Sequence, residues 1–262
     1  MKNIGFALFF SCLLLLFPSC TLKKRGLKVA ATPVPQAEML EFIKPDLAEQ
    51  GINLIIVTTN NYNVPNRALN DKTVDANFFQ HIPFMDEQIK KYHYKIESLG
   101  KIEIEPMGIY SKHIRSLSAL PEHAVIAIPS DPTNEARALL LLQDHGIIQL
   151  RDPKNVHSTI KDVTYNPKRI RFLKFKANEL IGSLPEVTAA AINTNFVLEA
   201  GLSPIKDSLA LESKNSPYAN IIAIRIGEGK KHRIQALKKA MTSEKMRQFI
   251  LEKYNGAVLP AF

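Results

Sequence analysis

An α/β fold in two hinged lobes is what this sequence predicts, and three observations carry the prediction. Short apolar runs alternate with segments of helical periodicity along most of the chain, which is the pattern of successive βα units. Two extended stretches, Lys101 to Lys112 and Ile221 to Ile226, break that rhythm and read as strands crossing between two halves. With 262 residues, 45% of them hydrophobic, the chain can bury a sizeable core, although length alone leaves one large domain or two small lobes open.

Taken in order, Lys28 to Thr32 reads as a strand, followed by a Pro33-Val34-Pro35 turn. Gln36 to Gln50 reads as a helix with Ala37, Leu40, Ile43 and Leu47 on one face, bent at Pro45 and ended by Gly51. Asn53 to Thr58 is a second strand, Arg67 to Asp71 a short helix, Asp75 to Phe79 a third strand, and Pro83 to Tyr92 a helix with proline in its first turn. These βα units favour parallel strands with right-handed crossovers. After the first long extended stretch the series resumes: strand Ala124 to Ile128, helix Thr133 to His145, strand Ile170 to Phe175, helix Ala177 to Gly182 and strand Ala189 to Ile192. Beyond Ile221 to Ile226 come helices Lys230 to Ala240 and Ser243 to Tyr254, the second with Ser243 as N-cap. If the two extended stretches cross, residues 26–105 and 227–262 form one lobe and residues 110–218 the other.

The first residues read as a secretory leader, 1–19. Lys2 precedes an uncharged stretch from Ile4 to Phe17, too short to span a bilayer comfortably, which ends in Pro18, Ser19 and Cys20. Cleavage before Cys20 removes Cys12 and leaves one cysteine, so no intramolecular disulfide is expected. That cysteine, placed directly after the apolar stretch, resembles the lipidation site of bacterial lipoproteins, with 20–25 as a lipidated tether. Several acyl chains would hold the protein firmly to a membrane. The expected location is the cell envelope, facing the periplasm or the exterior.

The formal net charge of +9 falls to +8 with the loss of Lys2. Lys and Arg are scattered over polar helix faces, as at Lys90, Lys91, Lys238 and Lys239, and no aromatic stripe accompanies them. Nucleic acid is therefore discounted. The tight run Lys23-Lys24-Arg25 suits a tether near lipid headgroups.

Four segments are candidates for chemistry. In Ile128 to Gln143 a strand ends in a turn bracketed by Pro129 and Pro132, and a helix opens at Thr133 or Asn134. A helix start attracts an anion, and Arg137, three residues after Asn134, reaches the same spot to grip a carboxylate. A capped core helix with a surface arginine is the competing reading. In Asp75 to Phe84 a strand carries Phe79 and His81 to its C-terminal end, where open α/β sheets place ligands. Tyr62, in the loop after the second strand, sits at the same end. Asn193 and Asn220 each stand where a strand meets a loop, and an amide both donates to a carboxylate and accepts from an ammonium, although asparagine also favours turns. The sequence has no HExxH or GxSxG pattern, and no cysteine remains as a nucleophile after lipidation. No catalytic residue, metal or cofactor is expected.

These segments, in this order, resemble the methionine-binding lipoproteins of bacterial ABC importers, the NlpA-type substrate-binding lipoproteins. The resemblance runs through nearly the whole mature chain, on Val64-Pro-Asn-Arg-Ala-Leu-Asn70, Asp75-Ala-Asn-Phe-Phe-Gln-His81, Asp86-Glu-Gln88, Ile128 to Gln143, Ile192-Asn-Thr194 and Ser216-Pro-Tyr-Ala-Asn220. It implies a two-lobed periplasmic-binding-protein clamshell, type II-like, with two crossing strands and a ligand in the cleft. It further implies that Arg137 binds the ligand carboxylate with Asn134 beside it, that Asn193 and Asn220 surround the amino-acid head, and that Tyr62, Phe79 and His81 line the side-chain pocket. The implied partners are L-methionine or a similar small amino acid, the membrane and ATPase subunits of an ABC importer, and a membrane held through the lipid anchor. The chain departs from the family pattern at Val34-Pro35-Gln36, Asn61, Gly182 and Asn195-Phe196. These departures keep another amino acid or a short peptide open as ligand. Two rivals of other classes are a hydrolase using His81 with Asp86 or Glu87, and a surface adhesin or scaffold.

Overall fold

The computed structural model describes residues 26–262, so the expected leader 1–19, the lipidation site Cys20 and the tether 20–25 lie outside the described residues. Strand β1 (Leu27–Ala31) leads through an irregular helical turn at Pro33–Ala37 into α1 (Glu38–Glu49), followed by β2 (Leu54–Thr58), α2 (Val64–Asn70), β3 (Ala76–His81), α3 (Ile82–Tyr92) and β4 (Ile96–Ile104). After residues 105–107 come β5 (Gly108–Tyr110), β6 (Val125–Pro129), α4 (Pro132–Asp144), β7 (Gln149–Leu150), β8 (Val163–Tyr165), β9 (Arg171–Phe175), α5 (Leu180–Ser183), β10 (Ala189–Ile192), α6 (Thr194–Glu199), α7 (Pro204–Asp207) and β11 (Ala210–Leu211). Residues 212–219 return the chain to β12 (Asn220–Arg225), α8 (His232–Met241), α9 (Glu244–Tyr254) and β13 (Leu259–Pro260).

The strands form two main sheets. One is six-stranded, in the order β13-β4-β12-β3-β1-β2; the other is five-stranded, in the order β11-β5-β10-β6-β9. The architecture is a two-lobed α/β clamshell, and the chain passes between its sheets twice, at 105–107 and at 212–219. The extended stretch expected over Lys101 to Lys112 is thus two strands with a crossing between them. Ile221 to Arg225, read from sequence as part of a crossing, is instead interior to the six-stranded sheet, antiparallel to both β3 and β4. Its unbroken apolar run has a simple cause: Ile222 and Ile224 pack toward α1, α8 and α9, while Ile221 and Ala223 pack with Leu69, Val74 and Met85 on the opposite face.

The same double covering holds in the second sheet. Ile109, Ile126, Ile128, Ala189 and Ala191 meet Ala138, Leu139 and Leu142 of α4, and Tyr110, Ala127, Ala190 and Ile192 meet Leu180 on the other side. Helix α1 runs unbroken through Pro45, which lies on its exposed face while Met39, Leu40, Ile43 and Leu47 are buried. Ser243 caps α9 as expected, its side chain accepting from the Met246 amide at 3.1 Å.

The registers bring the strand ends that matter to one place. Strand β1 is parallel to β2 and β3, with Ala31 opposite Thr58 and Phe78, and the antiparallel β12 begins with Asn220 opposite His81. In the second sheet β6 is parallel to β10, so the start of α4 and the residues after Ile192 share one edge. These two edges face each other across the crossings, as ligand-binding edges of α/β sheets do.

Candidate functional site

All seven residues singled out in the sequence line one cavity between the lobes: Tyr62, Phe79, His81 and Asn220 from the six-stranded side, Asn134, Arg137 and Asn193 from the five-stranded side.

The arginine is held by an elaborate clamp. Arg137 sits in the second turn of α4, buried, with its guanidinium 4.6 Å above the ring of Tyr218. Its Nε donates to both carboxylate oxygens of Glu212 at 3.1 Å, and its Nη2 donates to Glu212 Oε2 at 2.5 Å and to the Glu105 carbonyl at 2.7 Å. Burial opposes its charge, and Glu212 more than offsets that, so the guanidinium is held above its usual range. Nη1 makes none of these bonds, which leaves a charged donor for a ligand carboxylate.

The helix start contributes less than expected. Helix α4 opens at Pro132 and is already capped: the Asp131 carboxylate accepts from the Asn134 amide N–H at 3.0 Å, and also from the Asn134 side chain at 3.0 and 3.1 Å. An aspartate in that position takes one of the N–H groups that an incoming anion would need and puts a negative charge beside the rest. The Asn134 side chain is therefore committed: its Oδ1 accepts from Asn193 Nδ2 of the same lobe at 2.9 Å and faces His81 Nε2 across the cleft at 3.3 Å.

His81 is neutral. Its Nδ1 accepts from the Phe84 amide at 3.2 Å, which assigns the proton to Nε2 and points it at Asn134. Burial first, and then Arg137, lower its pKa to about 3. Neither Asp86 nor Glu87 contacts its ring nitrogens, so the pairing a hydrolase would need is not formed.

Two buried amide atoms that line this cavity have no hydrogen-bond partner, Asn193 Oδ1 and Asn195 Nδ2. One accepts and one donates, so together they suit opposite ends of a zwitterion. At the other end of the cavity the walls are aromatic. Tyr62, Phe79 and Phe84 stand with ring centres 5.7 to 5.9 Å apart, and Phe196 lies 5.3 Å from Tyr62. The Tyr62 hydroxyl donates to Asn195 Oδ1 at 2.6 Å, and Asn60 donates to Glu199 at 2.7 Å, both bonds spanning the two lobes.

Sequence reasoning missed Gln80, Phe84, Glu105, Thr194 and Asn195, which also line the cavity. Phe84 was discoverable, because the Pro83 helix start places it one turn from His81. Glu105 gave no local signal, since it lies in a crossing rather than at a strand end.

Known proteins share the sequence pattern and the fold. Residues 27–262 match the family model described as NlpA lipoprotein. The methionine-binding lipoprotein MetQ of Bacillus subtilis (strain 168) is 42% identical over 243 residues, covering 90% of this chain and 88% of that protein. The crystal structure of a nutrient binding protein from Burkholderia cenocepacia bound to methionine superposes with a TM-score of 0.87 at 40% identity, covering 90% of this chain and all of that one. An ABC transporter periplasmic substrate-binding protein from Coxiella burnetii gives 0.85 at 41% identity, again over 90% of this chain and all of that one.

Proposed function

The chain belongs to the NlpA lipoprotein family, and on that premise we propose that it captures a free α-amino acid, L-methionine first among them, outside the cytoplasmic membrane and delivers it to an ABC importer. The observation that carries this reading is the division of one cavity into a polar end and an aromatic end, with Arg137, Asn193 and Asn220 at the first and Tyr62, Phe79 and Phe84 at the second. A zwitterionic head bound to the polar end leaves a neutral side chain against the rings, and a thioether makes favourable contacts there without needing a charged partner.

In this reading Nη1 of Arg137 takes the carboxylate, and Asn193 Oδ1 accepts from the ammonium. Asn134 positions both Asn193 and His81 rather than serving the ligand directly. The lobes close over the amino acid through Tyr62–Asn195 and Asn60–Glu199, and the closed form is what the importer recognises. The anchor at Cys20 keeps the protein in the cell envelope. Among the described residues no helix is long and apolar enough to cross a membrane. A binder rather than an enzyme is favoured because the named relatives are binding proteins and because, among the described residues, the His81 ring nitrogens bond Asn134 and the Phe84 amide rather than a nucleophile or a carboxylate.

Isothermal titration of protein unfolded and refolded to strip bound ligand, against both enantiomers of methionine, the other amino acids and short peptides, tests the reading. Saturable binding of methionine supports it, whereas heat only with peptides would transfer the role to a peptide carrier. Silence across the whole panel would favour a scaffold.

A further inference from the structure

At the floor of the cavity two carboxyl groups share the same two donors. Glu103 and Glu105 are two apart on an extended chain and so point to one side. Gln36 Nε2 donates to Oε1 of both, at 2.9 Å to Glu103 and closer still to Glu105. Asn220 Nδ2 also donates to Oε1 of both, at 2.9 and 2.8 Å. Glu103 is fully buried and Glu105 nearly so. Two carboxylates confined this way do not both ionise without a cation beside them, so the pair retains a proton. Burial and then the charge of Glu105 raise Glu103 well above the ordinary carboxylate range, and burial raises Glu105 as well.

The surrounding elements supply no spare cation. Thr32 and Gln36 at the entry to α1 and Asn220 of β12 are neutral. From α4, Arg137 reaches the Glu105 carbonyl, but its charge is matched by Glu212. From α9 the Tyr254 hydroxyl donates to Glu38, which pairs with Lys253 at 3.3 Å. Tyr62, across the cavity, remains a neutral phenol, raised first by its burial and then by Glu105. His81, opposite Asn220 in the ladder, is neutral down to about pH 3. Of the pair only Glu105 lines the cavity, beside Asn220.

We propose that the Glu103–Glu105 pair is the charged partner of the ligand ammonium, beside the Asn193 Oδ1 acceptor, and exchanges its shared proton for that ammonium. The inference rests on the amino-acid reading above. On capture, the O–H bond of the protonated carboxyl breaks, its electron pair stays on oxygen as a second carboxylate, and the proton leaves to solvent. The ammonium then meets Glu105 at the cavity wall, with Glu103, held by the same two amides, as a second negative charge behind it. The site thereby selects a free primary ammonium over an N-acylated amino acid, which brings no cation to replace the proton.

The test is titration calorimetry of the full chain with L-methionine at mildly acidic pH, in two buffers of different ionisation enthalpy. The expected result is buffer-dependent heat corresponding to release of about one proton, with affinity rising up to about tenfold per pH unit until the pair ionises unaided. In Glu103→Gln, whose amide keeps the shape of the protonated acid, the heat becomes independent of buffer. The des-amino analogue of methionine, titrated against the unmodified protein, binds without proton release or does not bind, which tests the idea even if the variant fails to fold. Methionine binding with no proton release would overturn the proposal, as would release that persists undiminished in a folded Glu103→Gln protein, since the proton would then come from another group such as Asp131. If no amino acid binds at all, the parent reading fails and takes this one with it.

Discussion

Arg137 is where binding and structure are most tightly joined. Replacing it by alanine removes the proposed partner of the ligand carboxylate and leaves the largely buried Glu212 without its cation. Truncation of one member of a buried charge pair costs roughly 2 to 5 kcal/mol, so Arg137→Ala is expected to raise the Kd for methionine more than tenfold by titration calorimetry. Arg137→Lys recovers little of this, because an ammonium cannot serve Glu212, the Glu105 carbonyl and a ligand with the same fork of donors. His81 yields a pH dependence. The unfolded chain protonates it below about pH 6.5, whereas the folded protein resists until about pH 3. Its contribution to stability is therefore complete above pH 6.5 and is lost as pH falls from 6.5 toward 3, by about 1.4 kcal/mol per pH unit. Thermal melts across that window should show a slope in the wild type that is reduced in His81→Gln. Glu103, raised rather than lowered, acts with the opposite sign. Its contribution is complete below the ordinary carboxylate value and is lost as pH rises through its folded one.

At the scale of elements, helix α4 supplies the site with both its cap and its arginine. Asp131→Ala removes the bond to the Asn134 amide and is expected to cost about 0.5 to 2 kcal/mol in urea unfolding. Affinity should fall as well, because Asn134 loses the group that fixes its side chain. What the sequence made legible tracks length and periodicity. Helix α1, with its apolar stripe at Met39, Leu40, Ile43 and Leu47, and the run Val125–Pro129 are found within a few residues of their observed ends. Strands β7, β11 and β13, two residues each, and helices α6 and α7 are too short for any periodicity to register. Strands β11 and β13 exist because a neighbouring sheet edge supplies the bonds, and α7 because Pro204 and the Ser203 cap start its turn. The site followed the same logic: residues at strand ends and helix starts were visible, while Glu105 and Glu212, whose carboxylates bond Gln36 and Arg137 at 69 and 75 positions away in sequence, were not.

At the scale of the molecule, two cores joined by two short crossings make relative motion of the lobes the natural deformation. The bonds between lobes at Tyr62 and Asn60 should stabilise the closed arrangement. Losing the Tyr62 hydroxyl forfeits about 1 kcal/mol of net hydrogen bonding. Tyr62→Phe is accordingly expected to shift the population toward open lobes by roughly fivefold. A larger radius of gyration in small-angle scattering of the ligand-free variant and a several-fold weaker Kd would report it. An unchanged scattering profile and Kd would show that closure is held elsewhere.

Arg137 fastens onto residues at the two crossings themselves: the carbonyl of Glu105 in the first and the carboxylate of Glu212 at the start of the second. In the proposed reading, the part of the site that grips the amino-acid head is thus also the rivet in the spine of the clamshell, whereas the rings assigned to the side chain hang from strand ends and a loop. Under mutation and selection these two parts have unequal freedom. Ligand preference can drift at Phe79, Phe84 and Tyr62 without disturbing the spine, but a change at the head disturbs folding and recognition together, so descendants of this chain should vary in which amino acid they carry more readily than in whether they carry one.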